Sequence, residues 1–270
     1  MEREQYDLMF RQEERHWWYI GMRRIAEELL ERHFRPGPGR PEILDAGCGS
    51  GGTTVWLSRW GRVTALDLMP KAVELARQRG IKRLLQASVE QLPFADASFD
   101  LLTSFDVLYH LGVGDDDAAL AEFARVLRPG GLALIRVAAH DWLRGAHDRA
   151  THTRHRYHRA ELTAKLQRAG LAVERESYAN CLLFPIAPLK RMIERHDPAG
   201  CADLWRPPAP INALLGGLLG LEAGPIARRG LPLGLSVVAV ARKPAGQGGI
   251  APKPRDTART GLSCRPTLSS

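Results

Sequence analysis

The sequence predicts an α/β protein with a doubly wound, mostly parallel sheet. Short apolar segments alternate with longer segments in which apolar residues recur at helical spacing. The first apolar segment runs into a glycine-rich turn, "EILDAGCGSGG", and the second ends in an aspartate. Strands that alternate with helices pair in parallel and carry the helices on both faces of the sheet. Ligands bind such sheets at the carboxyl ends of the strands, where the turn and the aspartate fall.

Residues 1–35 precede the first strand and have a helical pattern. In "RRIAEELLERHF", Ile25, Leu29 and Leu30 recur at helical spacing between charged residues. The segment "RPGPGRP" then ends the helix, because proline and glycine interrupt regular structure.

The other elements follow in the same alternation. "TTVWLSRWG" predicts a helix capped by Gly61, and "PKAVELARQRG" predicts one with Pro70 at its start and Gly80 at its end. Helices are also predicted for "DDDAALAEFARVLRPGG", where "RPGG" ends the helix, and for "RAELTAKLQRAG". Strands are predicted for "RVTALDL", "RLLQAS", "SFDLLTSFDVLYHL", "LALIRVAAH", "LAVERESY" and "LGLSVVAVARK".

Composition divides the chain into four parts. Residues 1–38 are predicted as an N-terminal helical lid, and residues 39–180 with 233–244 as the α/β core. The interval 181–232 is rich in Pro, Leu and Gly and too long for a plain connection, so we expect a helical insertion that caps the substrate. Residues 245–270 are rich in Gly, Pro, Ser and Thr, and we expect them to be disordered.

Charge and cysteine content narrow the class of protein. The net charge is +8, but the arginines are scattered along the chain, so no nucleic-acid partner is expected. The four cysteines form no CxxC pair, which argues against a zinc ribbon or a disulfide framework and favours reduced thiols in the cytoplasm. The N-terminus has no apolar signal core, and no apolar run reaches the length needed to span a bilayer.

The glycine-rich turn carries the first candidate binding site. Asp45 ends the first strand and is followed by Gly47, Gly49 and Gly51, which let the backbone approach a ligand closely. Asp67 ends the second strand, where a carboxylate can bind both hydroxyls of a ribose. A tight turn without a ligand is the alternative for this loop alone. A nicotinamide dinucleotide is disfavoured because "DAGCGSGG" lacks the GxGxxG spacing.

Four segments in order, "ILDAGCGSGG", "VTALDLMPKAVELAR", "EQLPFADASFDLLTSFDVLYHL" and "EFARVLRPGG", resemble the class I S-adenosylmethionine-dependent methyltransferases. The resemblance covers about residues 40–180 and the strand at 234–243. It implies a Rossmann-like, seven-stranded sheet whose last strand is antiparallel. It also implies S-adenosylmethionine as the cofactor, with these binding residues: Asp45, Gly47, Gly49, Gly51, Asp67, Leu68, Ser88, Val89, Asp106 and Trp18.

The resemblance gives these residues separate roles. The glycines line the methionine part of the cofactor, Asp45 lies near its amino group and Asp67 holds the ribose hydroxyls. Ser88 and its neighbour flank the adenine, and Ser88 stands where family members often have Asp, which weakens the contact with the adenine amine. Asp106 lies at the floor of the site, although a core or capping role is about equally favoured.

Two further segments, "ERHWWYIGMRR" and "HDRATHTRHRY", resemble one subgroup of that family, which has an N-terminal HWWF-type motif and an HD…H…RRY loop. Its members are often enzymes for polysaccharides, lipids or secondary metabolites. Tyr19 stands where Phe is common, and His155 takes the usual first-Arg position. The motif's aromatic residues are interpreted as a lid, with Trp18 or Tyr19 against the substrate; packing as core anchors is the alternative.

The loop after the fifth strand faces the methyl group of the cofactor in this family, and this loop carries the candidate catalytic residues. A hydroxyl acceptor loses a proton on methylation, and a histidine suits that task. We predict His147 as the base, with Asp148 or His152 in support. Residues predicted to contact the acceptor are His110, Arg156, Tyr157 and Tyr19. A carboxylate acceptor needs no base, and the histidines would then serve recognition only.

The expected activity is therefore O-methylation of a hydroxyl or carboxylate on a small molecule in secondary-metabolite, lipid or polysaccharide biosynthesis. Rivals are an RNA or protein methyltransferase and a non-catalytic S-adenosylmethionine-binding scaffold. A metal site in the histidine loop is disfavoured because three arginines repel a cation, and a solvated basic loop is the main alternative. The apolar and basic insertion permits a peripheral membrane contact, although a small helical cap is preferred.

Overall fold

The protein is described here from a computed structural model. The structure describes residues 3–145, 148–149, 151–185 and 207–245. The predicted base His147 and the tail beyond residue 245 lie outside these ranges.

A seven-stranded sheet forms the centre of the protein. Its strands are β1 Glu42–Ala46, β2 Arg62–Asp67, β3 Leu84–Gln86, β4 Phe99–Phe105, β5 Leu127–Ala138, β6 Ala172–Ala179 and β7 Ser236–Arg242. They lie in the order β3-β2-β1-β4-β5-β7-β6. Strands β1 to β5 pair in parallel, whereas β7 is antiparallel to both β5 and β6. The predicted Rossmann-like sheet with an antiparallel last strand is confirmed.

The helices depart from the sequence predictions in two places. They are α1 Arg3–Gln12, α2 Trp17–His33, α3 Gly52–Leu57, α4 Pro70–Gln78, α5 Asp116–Val126, α6 Arg159–Arg168, α7 Ala209–Leu221 and α8 Ala223–Arg228. The helix predicted over 1–35 is two helices, because His16 caps α2 by accepting the Trp18 amide on Nδ1 at 3.3 Å. The "RPGG" segment, predicted to end α5, lies inside β5 instead, and Gly130 takes a φ of +81° there.

Helix α2 belongs to the core, whereas α1 covers the carboxyl edge of the sheet. Met22 and Ile25 of α2 are almost fully buried and pack against a face of the sheet that includes Leu134. Burying side chains of this size stabilises a protein by about 1.5–3 kcal/mol each. Tyr6 of α1 packs instead on α4 beside Leu75. Both α1 and the start of α2 border the cavity described below, and a lid formed by residues 1–38 stays a prediction.

Helices α7 and α8 pack against α2 from outside the sheet. Asn212 fixes the start of α7, since its Oδ1 accepts the Trp17 amide at 2.9 Å and its Nδ2 donates to the Arg15 carbonyl at 2.8 Å. Contrary to the expectation from the sequence, one helical stretch in the described part of the chain, Ala209–Arg228, has the length and composition to cross a membrane, and 22% of its apolar window is buried. The contact with α2 thus covers only part of its apolar surface.

The α2–α7 contact depends on a glycine, and this can be tested. A Cβ on Gly21 would lie 2.6 Å from Leu219 Cγ, so Gly21→Val should lower the free energy of unfolding by about 2 kcal/mol through overpacking. Gly217 of α7 has no neighbouring atom within 4 Å of such a Cβ, so Gly217→Val should change stability by less than about 0.5 kcal/mol. Urea denaturation would measure both, and equal effects would contradict the packing described.

Candidate active site

A cavity of about 1050 Å³ opens at the carboxyl ends of β1, β2 and β4. Asp45, Asp67 and Phe105 at these strand ends line it, so it lies where doubly wound sheets bind ligands. Most of the residues predicted for the site line this cavity: Asp45, Gly47, Gly49, Asp67, Leu68, Ser88, Val89, Asp106, Trp18, Tyr19, His110, Asp148, His152 and Arg156.

The turn after β1 takes left-handed backbone at all three predicted glycines. The φ angles are +90° at Gly47, +54° at Gly49 and +90° at Gly51, a region that strains residues with a Cβ. A Cβ on Gly47 would also lie 2.2 Å from Val107 Cγ2. Gly51 does not line the cavity; it caps α3, and a Cβ there would meet Ile81 at 2.6 Å. The predicted cofactor contact of Gly51 is thus replaced by a packing role.

Asp67 is oriented by backbone amides on both sides. Its Oδ2 accepts the Gly49 amide at 2.9 Å, and its Oδ1 accepts the Met69 amide at 2.9 Å. Burial raises the pKa of the Asp67 carboxyl, and these backbone hydrogen bonds oppose the rise. Each oxygen keeps a second lone pair, so the carboxylate can accept hydrogen bonds from a diol in the cavity.

Asp45 is buried beneath the glycine turn. It accepts Thr54 Oγ1 at 2.6 Å and Thr103 Oγ1 at 3.0 Å. Burial is the largest cause that raises the pKa of Asp45 to about 6, and the negative charges of Glu13 and Asp67 add to it. Among the described residues, its side-chain hydrogen bonds come from neutral hydroxyls, so a cation that reaches it would be strongly attracted.

Glu13 was not predicted, and it ties the N-terminal segment to the glycine turn. Its Oε1 accepts Ser50 Oγ at 2.5 Å and the Gly52 amide at 3.0 Å, and Arg79 pairs with it at 2.7 Å. Burial raises the pKa of Glu13 despite these partners. The contact holds α1 over the cavity, where Met9 lines the wall. This role was not recognisable in the sequence, because Ser50, Gly52 and Arg79 are all distant from Glu13 along the chain.

The wall beyond Asp67 carries the residues predicted to contact adenine. Ser88 and Val89 line the cavity together with Leu68, which is partly exposed. The Ser88 hydroxyl accepts the Glu90 amide at 3.2 Å and so is held in the turn after β3. This wall combines an apolar surface with a single hydroxyl.

An ion pair organises the histidine loop. Arg156 Nε donates to Asp148 Oδ1 at 2.7 Å and its Nη2 to Oδ2 at 3.1 Å, and both side chains are buried. Arg156 Nη1 also donates to the Ala139 carbonyl at 3.1 Å, which anchors the loop beside β5. Such a two-point pair is geometrically specific. Both side chains line the cavity, and Asp148 neutralises Arg156. The positive charge that Arg156 offers to an anionic acceptor is therefore reduced.

Tyr157 is a core residue, contrary to the predicted acceptor contact. It is fully buried and does not line the cavity. Its amide donates to the Ala138 carbonyl at 2.8 Å, and its hydroxyl donates to Leu108 O at 3.3 Å and bonds to Asp116. Hydrogen bonds on both the backbone and the phenol hold the ring inside the protein, which a polar neighbourhood in the sequence does not reveal.

His110 lines the cavity, and the position of the proton on its ring is defined by one hydrogen bond. Its Nδ1 lies 2.7 Å from the Thr151 carbonyl oxygen, which can only accept, so Nδ1 carries the proton. Burial lowers the pKa of His110 and favours the neutral ring. The Nε2 atom consequently keeps a lone pair that can accept a proton.

An arginine that was not predicted lies at the floor of the cavity. Arg136 Nε donates to Asp106 Oδ2 at 2.9 Å. Its guanidinium carbon lies 4.8 Å from the Trp18 ring centre and 4.9 Å from that of Phe105. Tyr19 meets Trp18 edge-on at 5.0 Å. The aromatic motif thus stacks on a cation in the cavity wall.

Left-handed backbone recurs where strands end at this edge. Asp106 follows β4 with φ +61°, His140 follows β5 with φ +61°, and Asn180 follows β6 with φ +62°. Such strain in residues with side chains concentrates at functional sites. Asn180 also lines the cavity, and its buried Oδ1 has no hydrogen-bond partner among the described residues. A ligand donor in the cavity would satisfy this oxygen.

One cluster in the described ranges has carboxylates close enough to share a metal ion, Asp115–Asp117 at the start of α5. None of the three lines the cavity. Lys165 Nζ already donates to Asp116 at 3.0 Å and to Asp117 at 2.9 Å. The Lys165 ammonium group therefore already neutralises the carboxylates that would have to bind a metal ion.

Several known proteins similar to this chain are described as methyltransferases. Residues 44–135 match the family model described as a methyltransferase domain. The chain is 40% identical over 119 residues to malonyl-[acyl-carrier protein] O-methyltransferase of Serratia marcescens, which is 43% of this chain and 46% of that protein. The chain thus spans about half the length of the curated relatives it matches.

Solved structures support the fold over a longer stretch. A methyltransferase in complex with the Trm112 activator of Haloferax volcanii has a TM-score of 0.57 and 22% identity, over 89% of this chain and 94% of that chain. The [4+2]-cyclase SpnF has a TM-score of 0.53 and 22% identity, over 83% and 81% of the two chains. At this identity both show the fold alone. Residues 44–135 therefore resemble a methyltransferase domain, and the solved structures share the fold of the larger part of this chain.

Proposed function

We propose that this protein transfers a methyl group from S-adenosylmethionine to an oxygen atom of a small molecule. The observation that carries the proposal is one cavity lined both by Asp67, whose carboxylate is oriented by backbone amides, and by His110, whose Nδ1 is engaged by the Thr151 carbonyl. Its volume of about 1050 Å³ is at the upper end for ligand sites, which suits a nucleoside cofactor with a second molecule. The relatives named O-methyltransferases support the same reaction class.

The buried carboxylates at the glycine-turn end of the cavity favour a cationic ligand. The pKa values of Glu13, Asp45 and Asp67 are all raised by burial, so ionising these groups is costly without a compensating positive charge. A sulfonium and an ammonium group would supply that charge, whereas the pyrophosphate of a nicotinamide dinucleotide would repel these carboxylates. In this proposal Asp45 binds the amino group, Asp67 the ribose hydroxyls, and Ser88 with Val89 the adenine.

The proposed base is His110. When bound, S-adenosylmethionine supplies the methyl group as an electrophile for in-line displacement. The chain has to orient the acceptor, exclude water and remove one proton from a hydroxyl. His110 Nε2 accepts this proton, and the Thr151 carbonyl stabilises the charged ring through Nδ1. His147 as the base, with His152 in support, stays a competing prediction, whereas Asp148 is engaged by Arg156.

The acceptor has an apolar body and a polar group. The cavity wall away from Asp67 carries the apolar side chains Leu143, Leu183, Leu215 and Leu235. Arg136 and the unsatisfied Asn180 Oδ1 supply polar contacts in the same cavity. Secondary-metabolite, lipid or polysaccharide intermediates meet this description, and so does a carboxylate acceptor, which needs no base. Membership of the HWWF-type subgroup and a cytoplasmic location stay predictions.

The cofactor assignment predicts the effect of one isosteric substitution. Asp67→Asn should weaken S-adenosylhomocysteine binding by roughly 10- to 100-fold, because the carboxamide loses the charge-assisted bonds to the ribose and turns a donor toward a backbone amide. Asp96→Asn is the matched control, since Asp96 is exposed and outside the cavity. Titration calorimetry measures both, and unchanged affinity in Asp67→Asn would contradict the assignment.

Cofactor affinity should also depend on pH. The raised pKa of Asp45, about 6, means that lowering the pH through 6 protonates the carboxyl and removes its attraction for the amino group. Affinity for S-adenosylhomocysteine should therefore fall as the pH drops from 7.5 to 5.5. Asp45→Asn should bind more weakly at pH 7.5 and keep only the pH dependence that Asp67 contributes. An equal change of S-adenosylhomocysteine affinity with pH in the variant and the wild type would contradict this role of Asp45.

The base assignment predicts a split between acceptor classes. Release of S-adenosylhomocysteine is measured with a panel of phenols, polyols and carboxylic acids. His110→Gln should lower kcat for hydroxyl acceptors by about 10²- to 10⁴-fold and leave cofactor affinity within threefold. His147→Ala should retain most activity. A larger loss in His147→Ala than in His110→Gln would favour the competing base.

A further inference from the structure

Helix α7 leaves a row of large apolar side chains uncovered. Ile211, Leu214, Leu218 and Leu221 are 50%, 61%, 36% and 71% exposed. Their spacing of three or four residues places them along one side of the helix, while Asn212 on another side binds α2. Scattered exposed leucines are ordinary, but a continuous row on one helix marks an interaction surface.

The apolar surface extends past the end of α7. Leu182 lies beside this end, because its amide donates to Glu222 Oε1 at 2.9 Å, and it is 53% exposed. Two residues further, Phe184 contacts Trp142 edge-on at 6.2 Å, and Trp142 is 60% exposed. An exposed tryptophan beside apolar groups is typical of surfaces that meet the interface of a membrane.

Basic residues border this surface. No ionisable residue occurs between Ala209 and Leu221, whereas Arg228 and Arg229 are exposed at the end of α8. Arg24 of α2 is exposed and runs alongside Gly220, with its Cδ 2.8 Å from the position of a Cβ there. A symmetric contact between two copies would bring these arginines toward one another. Anionic lipid headgroups would instead neutralise them.

We infer that α7, with Leu182 and Trp142, docks in the plane of an anionic lipid bilayer. The row from Ile211 to Leu221 enters the boundary between headgroups and acyl chains, and the arginines bind the headgroups. The same helix supplies Leu215 to the cavity wall, so docking brings that wall within about one helix diameter, roughly 10 Å, of the lipid. Delivery of an apolar acceptor from the bilayer rests on the proposed methyl transfer, whereas docking itself does not.

The test is flotation of the full chain with vesicles of phosphatidylcholine containing one quarter phosphatidylglycerol. The wild type should float with these vesicles, and less with pure phosphatidylcholine or at high salt. Leu214→Glu should lower the partition coefficient on the order of tenfold, since it places a charge in the buried row. Val55→Glu is the matched control, because Val55 is an exposed apolar residue on α3, outside the row, and it should float like the wild type.

Three results would overturn the inference. They are absence of flotation in the wild type, an equal loss in Val55→Glu, and a dimer in light scattering that Leu214→Glu dissociates. Calorimetry with S-adenosylhomocysteine separates this test from that of the proposed function. Leu214→Glu should bind the cofactor product as the wild type does, and a chain that floats without binding it would disprove the methyl transfer and leave the docking intact.

Discussion

The site depends on the turn that carries the chain from β1 into α3. Three left-handed glycines make this turn, and the Asp67 carboxylate fixes it by accepting the Gly49 amide. Glu13 fixes it from the other side through Ser50 and the Gly52 amide. One turn therefore joins the end of β2, the start of α3 and the N-terminal segment. The cavity lies where these three parts meet, with the Met9 side chain of α1 next to Gly49 of the turn.

The same arrangement carries an electrostatic cost. Three carboxylates, Glu13, Asp45 and Asp67, are buried around the turn, and burial raises the pKa of each. Neutral hydroxyls and backbone amides offset part of this cost for Asp45 and Asp67, while Glu13 is paired with Arg79. A protein that needed only stability would gain from removing such charges. The cationic ligand proposed above would offset this cost, which links the architecture to the proposed chemistry.

Features of the site that depend on local sequence could be predicted, and those that depend on distant contacts could not. The glycine turn and Asp67 are recognisable because their backbone and position are set within one strand–turn–helix unit. Glu13 and Asn180 gave no signal, since their roles arise from partners far away along the chain. Tyr157 was predicted to contact the acceptor because it lies in the loop after the fifth strand, but its ring is buried against Asp116. Its burial depends on how the loop folds back along β5.

The most direct measurement is calorimetric titration of S-adenosylhomocysteine into the purified wild-type chain with a chelator present, alongside NADH. We expect micromolar binding of S-adenosylhomocysteine with one site per chain, and no heat of binding when NADH is titrated. Binding of NADH, or no binding of S-adenosylhomocysteine, would contradict the assignment of the carboxylate-lined cavity to a cationic methyl donor.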